Sequence, residues 1–224
     1  MIPDRVLIKI SGEAISGKDE LFSSDIAIKI CNEIKNVIDL GISVLVVVGG
    51  GNIIRGRDFI NGGVISRETA DSIGMLATIM NGLFLKELFQ KIGIDSEIVK
   101  SHHNPENLSS KNKLLIFVGG LGYPYFSTDT VSVIAALLYK CDIILKATKS
   151  NGIYDKDPLL FQDAKFIENL TYEQAIKDNI QIMDQTAFSI IGSNKRIPIY
   201  VFSLKEENCF VKALNKTIKM SIVN

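Results

Sequence analysis

Short apolar runs punctuate the chain at Val6–Ile10, Val44–Val48, Ile94–Val99, Leu114–Val118 and Ile143–Ala147. Each has strand length, and Leu114–Val118 is apolar throughout, as in a parallel-sheet strand covered on both faces. Between these runs the spacing becomes helical. Ile26, Ile30, Ile34, Val37 and Ile38 recur every three or four residues. They predict a helix capped by Ser23, Ser24 or Asp25, running to about Leu40 and stopped by Gly41. A second helix is predicted from about Glu68 to Lys91, with Ile73, Leu76, Ala77, Met80, Phe84 and Leu88 on one face and Gly93 beyond. A third starts at Thr128 or Asp129 and carries Val131, Ile134, Ala135 and Leu138. A turn-rich loop at Gly152–Pro158 precedes helical pieces near Tyr172–Lys177 and Gln185–Gly192. A strand at Ile197–Phe202, a short helix and a last strand near Ile218–Val223 follow. No linker, repeat or low-complexity tract intervenes. The alternation predicts a single domain over residues 1–224. Its fold class is α/β: a three-layer α/β/α sandwich around a largely parallel sheet.

Composition narrows the function. Of 224 residues 46% are hydrophobic, enough for a packed core. Lys+Arg and Asp+Glu both number 25, so the formal charge is zero and neither nucleic acid nor membrane is an expected partner. An anionic ligand must then be held by local geometry. Cys31, Cys141 and Cys209 are scattered in apolar or helical contexts, which reads as buried free thiols in a reducing compartment. No apolar run approaches the roughly 20 residues that span a bilayer. The first residues lack the apolar segment of a signal peptide, since Lys9 interrupts it. A cytoplasmic enzyme is expected.

Two strands run into glycine turns. One reads Val44 to Val48, then Gly49-Gly50-Gly51-Asn52 with Arg55 beyond. The other reads Leu114 to Val118, then Gly119-Gly120-Leu121-Gly122, followed by Ser127-Thr128-Asp129. Glycine lets backbone N–H groups approach an anion closely, and a helix N-terminus adds partial positive charge. Two such sites suit a protein holding more than one phosphate. Lys9 lies in an apolar strand directly before Ser11-Gly12. A charge there is costly unless paired or functional, and strand C-terminal ends are where open α/β sheets bind ligands. Arg55 offers a bidentate fork for phosphate. Gly12 to Asp19 almost spells a phosphate-binding loop, but Asp19 stands where a hydroxyl is needed, so the match reads as accidental. Asp71 taken alone reads as a helix-start residue complementing the dipole. His102 and His103 have no ligand spacing, and no zinc is expected.

These residues resemble the bacterial uridylate kinases of the amino-acid-kinase fold, over nearly the whole length. The resemblance rests on Leu7 to Ala14, Val48 to Asn52 with Arg55-Gly56, Asp71 to Thr78, Gly122 to Asp129, Leu145 to Lys149 and Met183-Asp184. It implies transfer of the γ-phosphoryl group of ATP to UMP, giving UDP and ADP in pyrimidine nucleotide biosynthesis. Lys9, Arg55 and Asp129 would be catalytic, Asp129 organising Lys9 and the shell of a Mg2+ ion carried by the phosphates. Lys9, Ile10, Ser11, Gly12, Gly51 and Arg55 would lie along the ATP phosphates. Thr148, Tyr154 and Asp157 would line the ATP base and ribose. Gly50, Gly122, Tyr123, Pro124, Tyr125, Phe126, Ser127 and Thr128 would contact UMP, and Asp71 its nucleoside. No protein residue is expected to ligate a resident metal. The family implies a homohexamer with GTP or UTP as effectors.

Three departures stand out. Asn151 stands where the family carries Asp, Tyr123 where it carries Asn, and Lys100–Lys113 is shorter than usual. The shortening predicts muted GTP activation. Two rival readings share the glycine turns. One is another kinase of this fold acting on carbamate or an amino acid, which would have no use for a nucleoside-binding Asp71. The other is a non-catalytic nucleotide sensor or storage protein, against which Lys9, Arg55 and Asp129 together argue.

Overall fold

The computed structural model describes residues 2–54, 65–100, 114–158, 160–194 and 196–224. Its centre is an eight-stranded sheet. The strands are β1 (Arg5–Ile10), β2 (Ser43–Val48), β3 (Ser96–Lys100), β4 (Leu114–Val118), β5 (Ile143–Thr148), β8 (Asn169–Leu170), β9 (Ile199–Ser203) and β10 (Met220–Val223). They lie in the order β3-β4-β2-β1-β5-β9-β10-β8, all parallel except β9 against β10. The expected parallel sheet is present, and β1 sits inside it between β2 and β5.

Successive residues of a strand face opposite sides. Val6, Ile8 and Ile10 pack with Val44, Val46 and Val48 into one core layer, whereas Leu7, Leu45 and Val47 enter the other. The first layer is closed by α1 (Ser24–Ile38), α2 (Arg67–Lys91) and α6 (Cys209–Leu214). The second is closed by α3 (Thr128–Leu138), α4 (Tyr172–Lys177) and α5 (Gln185–Gly192). Burial of each Val, Leu or Ile side chain contributes about 1.5–3 kcal/mol, so two-sided cover makes these strands the anchor of the fold. The three cysteines are buried and in no disulfide, and burial pushes the Cys31 and Cys209 thiols up to about 12.

The long helix α2 corrects one expectation. Ile73, Leu76 and Met80, expected to share a face with Ala77 and Leu88, stand 37%, 61% and 50% exposed. Ala70, Ala77, Thr78, Asn81, Gly82, Leu85, Leu88 and Phe89 form its buried side. Small residues turn inward because the helix lies close on the sheet: a Cβ on Gly82 would stand 2.3 Å from Val118 Cγ1. By length and composition α2 could cross a membrane, yet here it packs along β2, β3, β4 and α1. Within the loop after β5, a hairpin of β6 (Ile153–Tyr154) and β7 (Phe166–Ile167) forms, which periodicity does not predict. Ser221 pins it to the main sheet, accepting from the Ile153 amide at 2.8 Å and donating to the Ile167 carbonyl. The Gly12–Asp19 look-alike forms a short 3-10 turn (Gly12–Ile15) followed by bends, without the helix a phosphate loop requires.

Candidate active site

Lys9 on β1 and Lys146 on β5 are register partners in neighbouring parallel strands. Alternation turns both toward the layer that contains α3. Asp129, in the first turn of α3, meets them: its Oδ1 lies 3.3 Å from Lys9 Nζ and 2.7 Å from Lys146 Nζ. Lys146 also donates to the Ile182 carbonyl. Both lysines are buried, 6% and 8% exposed, so each charge needs a partner. Burial pushes the Asp129 carboxyl up, but Lys146 and then Lys9 outweigh it and hold it down at about 2. Burial, with the Lys9 charge beside it, lowers the Lys146 pKa, and Asp129 only partly restores it. The cluster therefore fixes positions more than it adds stability. Two ammonium groups against one carboxylate leave an excess positive charge where β1 and β5 end, a place suited to an anion.

The α3 N-terminus is built for this placement. Ser127 Oγ accepts from the amides of Asp129 and Thr130 at 3.0 and 3.3 Å and donates to Asp184. Asp184 caps α5, accepting from the Ala187 amide at 2.9 Å, and also accepts from Thr130 Oγ1. One carboxylate thus ties two helix starts together, fixing Asp129 on one and Ile182 just before the other.

Next to Lys9 the first glycine turn packs against the β1 end. The Gly49 amide donates to the Ile10 carbonyl at 2.8 Å. Gly12 fits only because it lacks a side chain: a Cβ would stand 2.6 Å from the Gly51 nitrogen. Among the described residues, the amides of Gly50, Gly51 and Asn52 donate to no acceptor. Unpaired amides on a glycine turn at the β1 end are the kind of donors that suit an anion. Arg55 lies outside the described residues, as do His102, His103 and the shortened stretch up to Lys113 except Lys100.

Two cavities flank the cluster. The smaller, of about 150 Å3, is lined by Gly50, Asp71, Thr78, Tyr123, Phe126 and Thr128 among others. Gly122, Pro124, Tyr125 and Ser127 are not in its wall. Tyr125 turns back in a left-handed conformation, φ 73°. Its amide donates to Asp71 Oδ2 at 2.7 Å, its hydroxyl donates to Glu68, and the Arg67 guanidinium lies over its ring. Asp71 also accepts from Arg67 Nε at 2.8 Å. It is thus more than a dipole partner, since it ties the second glycine turn to α2. The larger cavity, of about 660 Å3, is walled by Lys149 to Pro158 and Asn179 to Ile182, with Tyr154 and Asp157 in its wall and Thr148 just before it. Ile182 belongs to this wall and holds Lys146. Asp129 follows Thr128, which lines the smaller cavity. The lysine–aspartate cluster lines neither cavity itself but is linked to the larger through Ile182 and to the smaller through Thr128.

The geometry brings Lys9, Asp129, Gly50 and Gly51 together, and Lys146 with them. Lys146 is not among the sequence-based candidates, although a lysine inside the apolar run Ile143–Ala147 carries the same signal as Lys9. Asp184 and Asn81 carry no comparable signal, because their partners lie far away in sequence.

Two glycine turns after parallel strands, a buried lysine pair on one aspartate and two cavities on a parallel α/β/α scaffold fit a phosphoryl-transfer class of protein. The sequence pattern of the amino acid kinase family matches residues 4–203. A uridylate kinase of Campylobacter jejuni subsp. doylei is 38% identical over 222 residues, covering 94% of this chain and 92% of that protein. The crystal structure of UMP kinase from Ureaplasma parvum is 32% identical, covers 100% of both chains and superposes with a TM-score of 0.89. UMP kinase from Bacillus anthracis is 31% identical, covers 100% of this chain and 97% of that one, and gives a TM-score of 0.90. The chain belongs to the amino acid kinase family and, within it, to the uridylate kinases.

Proposed function

We propose that the chain transfers the γ-phosphoryl group of ATP to UMP, giving UDP and ADP. The observation that carries this is the buried Lys9–Asp129–Lys146 cluster, tied through Ile182 to the wall of the larger cavity and next in sequence to Thr128 in the wall of the smaller. The larger cavity takes the ATP base and ribose, and the smaller takes UMP, with Asp71 toward its nucleoside. Carbamate or an amino acid as acceptor would have no use for the nucleoside contact proposed for Asp71. Phosphoryl transfer needs two anionic substrates held in line and the migrating charge neutralised, with little covalent work from the protein. Lys9 and Lys146 face the negative charge that spreads over the transferring group. Asp129 keeps the two ammonium groups side by side, and the Gly50 and Gly51 amides orient phosphate oxygens. Arg55 is proposed to join them.

Among the described residues no three His, Cys, Asp or Glu side chains gather to hold a metal alone. A Mg2+ ion is proposed to arrive with the nucleotide, its shell made mainly of phosphate oxygens, with Asp129 as the carboxylate near it. Such an ion neutralises phosphate charge when bound. The stripe Ile73, Leu76, Met80 and Leu83 on α2, all exposed and spaced as in a helix–helix seam, supports a subunit contact, and the assembly proposed is a homohexamer. GTP or UTP is proposed to act on that assembly, with a weak GTP response because Lys100–Lys113 is short. Buried cysteines in no disulfide support a cytoplasmic setting. Chromatography of a reaction with saturating ATP, Mg2+ and UMP tests the activity, and absence of UDP would refute it.

A further inference from the structure

We infer that Asn81, inside the core helix α2, is a positioning residue for the glycine turn between the two substrates' phosphates. The inference rests on the phosphoryl-transfer reading above. Asn81 is 0% exposed. A carboxamide buried that deeply costs free energy unless its donors and acceptor are used. All of its bonds go to the turn. Nδ2 donates to the Gly49 carbonyl at 2.6 Å and to Asn52 Oδ1 at 2.7 Å, and Oδ1 accepts from Asn52 Nδ2 at 3.0 Å. The two carboxamides bond reciprocally. Asn52 gives its other N–H to the Leu21 carbonyl at 2.7 Å, anchoring the turn on its far side.

The consequence follows from peptide geometry. The Gly49 carbonyl and the Gly50 N–H belong to one trans peptide plane and point in opposite directions. By drawing the Gly49 carbonyl toward α2, Asn81 directs the Gly50 N–H outward. Gly50 lines the smaller cavity, and its amide has no acceptor among the described residues. A leucine at position 81 would pack the helix and leave the Gly49 carbonyl unpaired. The polar residue is therefore matched to the turn's orientation rather than to the core around it.

Asn81→Asp keeps the size of the side chain but has no N–H to offer the Gly49 carbonyl. Asn52→Ala removes the reciprocal partner at a half-buried site, so it carries the test if Asn81→Asp does not fold. Both are compared with wild type by circular dichroism and thermal melting, then by steady-state kinetics with ATP, Mg2+ and UMP below the melting temperature. The expected result is a fall in kcat of at least tenfold in each folded variant, with either KM changing less than threefold. Orientation matters most for charge developing during transfer. A folded variant with kcat within threefold of wild type would overturn the inference, assigning Asn81 to packing alone. So would a rise in KM with kcat preserved. An active wild type with active variants refutes only this inference, whereas an inactive wild type refutes the proposed function and this inference together.

Discussion

Adding one methyl group at Gly12 should cut turnover about a hundredfold while leaving most of the fold intact. The Cβ of Gly12→Ala would stand 2.4 Å from Asn52 Oδ1, 2.6 Å from the Gly51 nitrogen and 2.9 Å from the Asn52 nitrogen, where ordinary contact begins near 3.4 Å. Two of these atoms are backbone, so a side-chain rotation cannot relieve the clash. The turn bearing the free amides must retreat from β1 by roughly 1 Å, and a misplacement of about 1 Å in a transfer site costs about 10²-fold. Overpacking of this kind costs about 1–3 kcal/mol. At about 2–4 °C per kcal/mol for a chain of this size, melting should fall by roughly 2–12 °C. The assay is coupled ADP release with ATP, Mg2+ and UMP, run beside a thermal melt. Gly51→Ala supplies the contrast in stability. Its Cβ would meet Glu13 Oε1 at an equal 2.4 Å, but that atom ends a flexible side chain, so melting should change less. Turnover of Gly12→Ala within threefold of wild type at an unchanged melting temperature would show that the two turns are not packed as described.

Lys146→Met should lower kcat at least tenfold yet cost no more than about 2 kcal/mol of stability, because burial already disfavours the Lys146 ammonium. Full activity per folded molecule would remove Lys146 from the transfer site. Asp129 sits at about 2 when folded against an ordinary 3.8, so its contribution is present above about pH 4 and lost as pH falls toward 2. The wild type should lose about 2 kcal/mol more than Asp129→Asn over that window, at about 1.4 kcal/mol per unit; melts showing equal acid sensitivity would contradict the ion-pair reading. Leu76→Glu combined with Met80→Glu should reduce the mass seen by light scattering, and an unchanged mass would place subunit contacts elsewhere.

Much of the architecture is legible in the sequence because its central strands are apolar on both faces and its helices keep their spacing. Lys9 is legible as a charge that an apolar strand would otherwise exclude, and Asp129 as an acid in a capped first turn. The buried face of α2 is not legible. Apolar residues occur at helical spacing on both sides of it, and the side that packs carries Ala70, Ala77 and Gly82, whose small volume permits close approach. The hairpin of β6 and β7 is hidden for another reason. Two-residue strands have no period, and this pair is held by Ser221, far along the chain. Reciprocal carboxamide bonds such as Asn52 with Asn81 leave no local pattern at all.

Lys9 and Lys146, side by side on β1 and β5, have a consequence for how the sheet finds its alignment. Hydrophobicity alone barely distinguishes one register of β1 from the next, because Val6, Leu7, Ile8 and Ile10 suit either layer. A slip of one residue would swing Lys9 into the layer of Ile34 and Phe89, on the opposite face of the sheet from Asp129. Only one alignment lets both ammonium groups meet Asp129. The charges placed to receive a phosphate thereby act as a key that admits a single threading of the central strands.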